Sequence, residues 1–156
     1  MLFRSQQVVK TITGAVATGT TTIPLDDTIP QNTEGDQYMS LAITPKSSTS
    51  TLRIDVVFCG SNNTNGIQSL TMALFQDSTA NALASEYYTS AGQNYGFVLH
   101  MTYLMTSGTT SATTFKVRVG ANTASTTTFN GNNGSRYYGG TMASSITIME
   151  IGRAHV

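Results

Sequence analysis

Charge is what this chain has least of. Only 10% of its 156 residues are Asp, Glu, Lys or Arg, and eight basic residues cancel eight acidic ones. A soluble globular domain carries about a quarter. No basic stripe is present to grip a nucleic-acid backbone, and a surface with so little mutual repulsion favours association. The single cysteine, Cys59, excludes an internal disulfide and a thiolate zinc cluster. No apolar run approaches the ~20 residues of a membrane-spanning helix, so membrane insertion is not expected. The opening "MLFRSQQVVK" lacks the apolar segment of a secretory signal. There is no GxSxG elbow, no P-loop and no GxGxxG.

Polarity comes instead from Thr, Ser, Asn, Gln and Gly. Threonine's branched β-carbon packs well on a pleated surface, and Gly and Asn gather at turns. The length suits one domain. The composition predicts an all-β protein.

Period-two alternation supports this. Gln6–Ile12 reads as a first strand. In Tyr38–Thr44, Met39, Leu41 and Ile43 share one face and Tyr38, Ser40 and Ala42 the other. Leu52, Ile54, Val56 and Phe58 face inward, with Arg53 and Asp55 outward. Leu70, Met72 and Leu74 continue the pattern, and Phe115, Val117 and Val119 alternate with Lys116 and Arg118, which are expected to be solvated. One wet face per sheet marks an antiparallel sandwich. The stretch "QDSTANALASEYY" could form a turn or two of helix, with Asp77 or Ser78 as N-cap.

Two strands break the one-sided rule. Tyr95–Met105 places Phe97, Leu99, Met101, Tyr103 and Met105 on one face, yet Val98 and Leu104 on the other, with His100 between them. Ser145–Ile151 shows Ile146 and Ile148 on one face, Met149 and Ile151 on the other. In a small sandwich one face of each sheet meets the core. The second face needs either burial within the domain or a second copy of the chain. Val98, His100, Leu104, Met149 and Ile151 are the candidate interface residues.

The two ends read oddly as DNA. "LFRS" can be written CTCTTCCGATCT; its reverse complement, extended, encodes the end of a Glu codon followed by "IGRAHV". The string resembles a sequencing adapter. Residues 1–5 and 151–156 are therefore expected to be non-native flanks of a domain spanning 6–150, which withdraws His155 from consideration.

The run "TGTTTIPLDDTIPQNTEGDQYMSLAITP", then "RIDVVFCGS", "MALFQDSTANALA", "TSGTTSATTFKVRVG" and "YYGGTMASSITIMEI", resembles a domain of bacteriophage and prophage tail fibre proteins, often at the fibre's C-terminal end. The likeness runs from about Val8 to Ile151. It implies an antiparallel β-sandwich, jelly-roll-like and akin to the tumour-necrosis-factor type, assembling as a homotrimer. It further implies a virion protein made in the bacterial cytoplasm, joined to the rest of a longer fibre chain. Its role would be structural and receptor-binding, directed at a surface polysaccharide or outer-membrane component. No reaction and no cofactor is implied. A capsid decoration or tail structural protein without receptor contact is the alternative, and a polysaccharide depolymerase a more distant one.

Four of the eight acidic residues, Asp26, Asp27, Glu34 and Asp36, lie within "IPLDDTIPQNTEGD". Paired-carboxylate hydrolases hold two acids at fixed separation across a cleft. Adjacent residues on an extended chain point to opposite faces, so Asp26 and Asp27 cannot address one bond. Flanked by Pro24 and Pro30, they read as a polar turn whose carboxylates accept from nearby backbone. The Asn-rich loops Asn62–Gly66 and Asn130–Gly134 lack the acidic ligands that a hard divalent cation wants, so no metal site is expected. His100 is a strand or interface histidine able to make a pH-sensitive contact. Cys59, after Phe58 in an apolar strand, behaves as a small hydrophobe. "GNNGSRYYGG" reads as a hairpin or surface loop.

Loops combining Tyr with Ser, Asn and Gly suit adaptable recognition of polar surfaces. On that ground Asn62, Asn63, Asn65, Tyr87, Tyr88, Asn94, Tyr95, Asn130, Asn132, Asn133, Arg136 and Tyr137 are the candidate receptor-binding residues, with Tyr138 beside them. Some of these tyrosines are expected to fill core or interface positions instead.

Overall fold

The computed structural model describes residues 3–153. The suspected flanks fall partly outside that range: His155 lies beyond it, whereas Phe3–Ser5 and Ile151–Arg153 pair with one another. The strands in chain order are β1 (Phe3–Thr13), β2 (Ala17–Gly19), β3 (Asp36–Ile43), β4 (Thr51–Asn62), β5 (Gln68–Gln76) and β6 (Ala84–Ser90). They continue with β7 (Gly96–Thr106), β8 (Thr113–Ala121), β9 (Thr127–Phe129), β10 (Gly131–Asn132), β11 (Ser135–Arg136) and β12 (Ser144–Arg153). A single 3-10 turn, Tyr138–Gly140, is the only helical element among the described residues.

The expected all-β antiparallel sandwich is what forms. One sheet runs β1-β12-β4-β9-β2, with β7 on the other side of β4; the second runs β3-β8-β5-β6. Every ladder is antiparallel. The chain passes between sheets at β2–β3, β3–β4, β4–β5, β6–β7, β7–β8 and β8–β9, the crossing habit of jelly rolls.

The inward residues pack as alternation dictates. Leu52, Ile54, Val56 and Phe58 of β4, Leu70, Met72 and Leu74 of β5, Phe115, Val117 and Val119 of β8, and Ile146 and Ile148 of β12 are all fully buried. Each such side chain contributes about 1.5–3 kcal/mol of transfer free energy. Phe58 lies centrally, with Phe97 at 5.8 Å, Phe129 at 5.3 Å and Tyr38 at 5.4 Å between ring centroids.

Four expectations need correction. Tyr38 does not share the outer face of β3. The register slips between Gln37 and Met39, and this bulge turns both Tyr38 and Met39 toward the core. Burial pushes the Tyr38 phenol up, and Asp36 adds to the effect. Strand β5 is buried on both faces, because Ile23 packs against Ala73 and Phe75 on the outer side. Lys116 and Arg118 are half-buried rather than solvated, their cationic heads donating to backbone carbonyls. The 76–88 stretch holds a turn and β6 instead of a helix. Asp77 adopts φ 51°, a left-handed value no N-cap takes, and its carboxylate accepts from Thr113 Oγ1 and Thr114 N.

Register places the loops in two groups. Phe3, Arg153, Thr51 and Thr106 meet at one end of the first sheet, beside the 44–50 and 107–112 loops. We call this the entry pole. Thr13, Ser144, Asn62 and Gly96 meet at the other, joined by the ends of β5, β6 and β8. We call this the loop pole.

Candidate functional site: the loop pole and a bare sheet face

The acidic stretch is a strap, not a paired-acid site. Residues 20–35 cross the outer face of the second sheet and are tied at successive points. Thr21 donates through its amide and hydroxyl to Asp36 at 2.8 and 2.9 Å. Ile23 donates to Ala121 O, and Gly35 to Thr22 O. Arg118 reaches across with Nε on Glu34 O and Nη2 on Gly35 O, both at 2.7 Å. Glu34 Oε2 accepts from Gln31 N at 2.9 Å. Asp26 Oδ1 accepts from the amide and hydroxyl of Thr28, bonds that hold its carboxyl below its ordinary pKa. The turn reading of this stretch agrees with these bonds. A shallow open groove runs between Asp26–Pro30 and Ala82–Ser85. Among the described residues no three His, Cys, Asp or Glu side chains form a metal-binding set.

The loop pole gathers most of the candidate recognition residues, and it sorts them into anchors and presented groups. Asn62 and Asn130 are buried, which corrects the expectation that they are presented. Asn62 donates to Ser125 Oγ and accepts from Thr64 N, closing the 62–66 loop. Asn130, at φ 53°, donates to Thr13 O and Ala15 O and accepts from Ser144 Oγ, pinning three segments together. Asn63, Asn94 and Asn132 are half-buried. Asn63 Oδ1 accepts from Thr126 N, and Asn132 donates to Asn94 O at 2.6 Å. A buried polar group is costly unless paired, and these bonds offset that cost for Asn62, Asn63 and Asn130, whereas the side-chain oxygens of Asn94 and Asn132 are buried without a protein partner.

Asn65, Tyr95, Asn133, Arg136, Tyr137 and Tyr138 stand exposed at this pole. Tyr87 and Tyr88 lie on β6, an edge strand. Tyr88 stacks on Phe97 at 6.1 Å, so its inner side is core, while Tyr87 faces out.

The outer face of β1, β12, β4 and β7 carries the candidate interface residues. Register aligns Val8, Met149, Arg53 and Leu104 in one row and Ile12, Ser145, Val57 and His100 in another. Val8, Ile12, Val98 and Leu104 are between 52% and 62% exposed, and Met149 and Ile151 are half-buried. Arg53 and Asp55 pair on this face, with Arg53 Nε 3.0 Å from Asp55 Oδ2, and Lys10 stands exposed between Val8 and Ile12. Cys59 is half-buried on the same face, and burial pushes its thiol up.

Sequence reasoning passes over Glu150, which the structure places wholly inside at the entry pole. Its carboxylate accepts from Lys46 N at 2.9 Å, Ser47 N at 3.1 Å, Ser50 Oγ at 2.7 Å and Gln7 Nε2 at 2.6 Å. Burial raises its pKa, but the bonds from Ser50, Lys46, Gln7 and Ser47 together outweigh this and hold the group below its ordinary value. The available signal was parity: Glu150 continues the inward series Ile146, Ile148.

No family model matches the chain, and no curated protein matches it. Among solved structures, that of infectious bursal disease virus, Gx strain, is similar at 12% identity and a TM-score of 0.38. It is matched over 94% of this chain and 37% of its own. The VP2 subviral particle of that virus is similar at 10% identity and a TM-score of 0.34, over 94% of this chain and 40% of its own. The chain thus spans about two fifths of the length of those proteins. Likenesses this distant assign nothing further to it.

Proposed function

We propose that this chain is the trimerising, receptor-binding domain of a bacteriophage tail fibre, carried on the virion. It presents its loop pole to a bacterial surface polysaccharide or outer-membrane component, without catalysing a reaction. The sequence resemblance supplies the identity of the appendage. The observation that carries the mechanism is the separation of the poles. The buried Glu150 and the 44–50 loop bonded to it lie at the entry pole, and the exposed Tyr, Asn and Arg side chains stand at the opposite one. Three copies per fibre would turn weak single-site binding into firm attachment.

Self-association through the β1-β12-β4-β7 face accounts for its uncovered apolar side chains, Val8 and Ile12 on β1 and Val98 and Leu104 on β7, which flank the Arg53–Asp55 pair, since exposed apolar residues on a low-charge protein favour a partner. Light scattering over a dilution series tests this, alongside Leu104→Asp. The wild type is expected to hold the mass of three chains into the low micromolar range. Leu104→Asp, at an exposed position, is expected to fold but run as a monomer. A wild-type monomer at all concentrations refutes the assembly. A trimer that binds no bacterial surface in a cell panel refutes receptor recognition and leaves a structural virion component.

A further inference from the structure

The 136–140 turn combines features that the rest of the loop pole lacks. Tyr138 has φ 51°, followed by Gly139 at 63° and Gly140 at 92°. Three successive left-handed residues are unusual, and for a bulky side chain this region is an outlier that carries an energetic cost. Asparagine, which tolerates the conformation, fills the same role at Asn94, Asn130 and Asn133. At 138 the chain instead keeps tyrosine and leaves it 78% exposed.

The turn is held firmly. Gly140 N donates to Tyr137 O, and Thr141 donates to Tyr138 O through both its amide and hydroxyl. A β-carbon on Gly14 would overlap the carbonyl oxygen of Gly140, so the turn is wedged against the β1–β2 connection. The Tyr137 and Tyr138 rings stand edge-on at 6.0 Å. Arg136 lies alongside, its Cδ and Nη1 3.5 Å from where a β-carbon of Gly140 would be. No ion pair engages it among the described residues. The loops 62–67, 91–95, 122–126 and 130–143 contain no Asp or Glu, so Arg136 is the only charge they present.

From this we infer that the Arg136–Tyr138 turn is a subsite for an anionic saccharide, with a pyranose ring on the exposed Tyr138 face and the sugar's carboxylate or phosphate on the Arg136 guanidinium. The C–H edges of a pyranose carry the partial positive charge that the negative face of an aromatic ring attracts. The planar guanidinium fork matches a two-oxygen anion. Absence of acidic neighbours leaves the attraction uncancelled, and the rigid turn spares the entropy of ordering a loop. The inference names a ligand class for the loop pole and rests on the recognition reading above.

Saturation-transfer NMR and titration calorimetry with three probes test it: tetragalacturonate for the carboxylate, mannose 6-phosphate for the phosphate, and maltotetraose as the neutral control. At least one charged probe is expected to bind more tightly than the neutral one, and added salt to weaken it. Arg136→Gln is expected to weaken that probe at least tenfold and leave the neutral one unchanged. Tyr138→Gly should abolish ring contact while Tm holds or rises, because glycine accepts the left-handed backbone. A merely structural tyrosine would lower Tm when removed. Charged-probe affinity unaltered in Arg136→Gln, or no binding of either charged probe at millimolar concentration, overturns the subsite. Wild-type and Arg136→Gln protein adhering equally to cells would overturn it too, while leaving the recognition reading standing.

Discussion

Removing the carboxylate of Glu150 probes how the entry pole is held. Glu150→Ala withdraws the acceptor from the Lys46 and Ser47 amides, from Ser50 Oγ and from Gln7 Nε2. Not all of these groups are stranded. Ser50 Oγ keeps Ser47 O at 2.7 Å, and Gln7 keeps Thr44 O at 2.7 Å. The main loss is at the two amides, and a buried donor without its acceptor costs about 1–3 kcal/mol. Water reaching the partly open 46–47 segment offsets some of this, so about 2–4 kcal/mol is expected. For a chain of this size each kcal/mol moves Tm by about 2–4 °C, which predicts a fall of about 4–16 °C in thermal unfolding followed by circular dichroism at pH 7. Glu150→Gln keeps one acceptor oxygen and should lose less. The pH dependence has a definite sign. A folded pKa held below the unfolded one stabilises the protein above the unfolded value and loses that contribution as pH falls through the folded one. The wild type should therefore shed stability below about pH 4.5, and Glu150→Gln should lack this component. A Tm unchanged in Glu150→Ala, or equal acid sensitivity in Glu150→Gln, would refute the account.

Other substitutions test the remaining ties. Asn130→Ala deletes a buried amide that joins Thr13, Ala15 and Ser144, and relies on a left-handed backbone that alanine resists. Denaturant unfolding should show a loss of about 2–4 kcal/mol. Asp36→Ala cuts the anchor of the strap at Thr21 and should cost only about 1 kcal/mol, because the bonds are exposed. Its signature is local: amide exchange at Ile23 and Gly35 should quicken while Val117, in the core of β8, stays protected.

The architecture was legible wherever one residue in two meets the core. The runs Leu52–Phe58 and Phe115–Val119 declare both strand and face, because apolar and polar residues alternate without interruption. Legibility ended where tertiary structure added a second layer. Nothing local to β5 says that Ala73 and Phe75 are covered, since their cover, Ile23, lies some fifty residues earlier in a loop. The same strap half-buries Arg118, which alternation alone assigned to water. Tyr38 was misplaced because a bulge resets parity and leaves no mark in composition. The recognition residues show a similar split. Tyr and Asn in a Gly-rich loop announce a turn, but burial of Asn62 and Asn130 depends on partners in β9, β12 and the β1–β2 connection. An asparagine that staples a loop and one that faces a ligand look alike in sequence.

A chain with so few charges spends most of them internally. Asp26, Glu34 and Asp36 staple the strap, Asp77 holds the start of β8, Glu150 holds the 44–50 loop, and Arg118 and Lys116 donate to backbone carbonyls. Arg53 and Asp55 neutralise each other, and Asp55 also accepts from Thr102 Oγ1. This sparing use of charge leaves the sheet face, among the described residues, with only the Arg53–Asp55 pair and the exposed Lys10, so little like-charge repulsion opposes its meeting another surface. It also gives a single presented charge unusual weight. Arg136 stands among neutral amides and aromatic rings, so any anion approaching the loop pole meets one attractive centre and no competing repulsion from those loops. The same economy that makes the sandwich prone to associate through its face thus concentrates electrostatic selectivity at its far end.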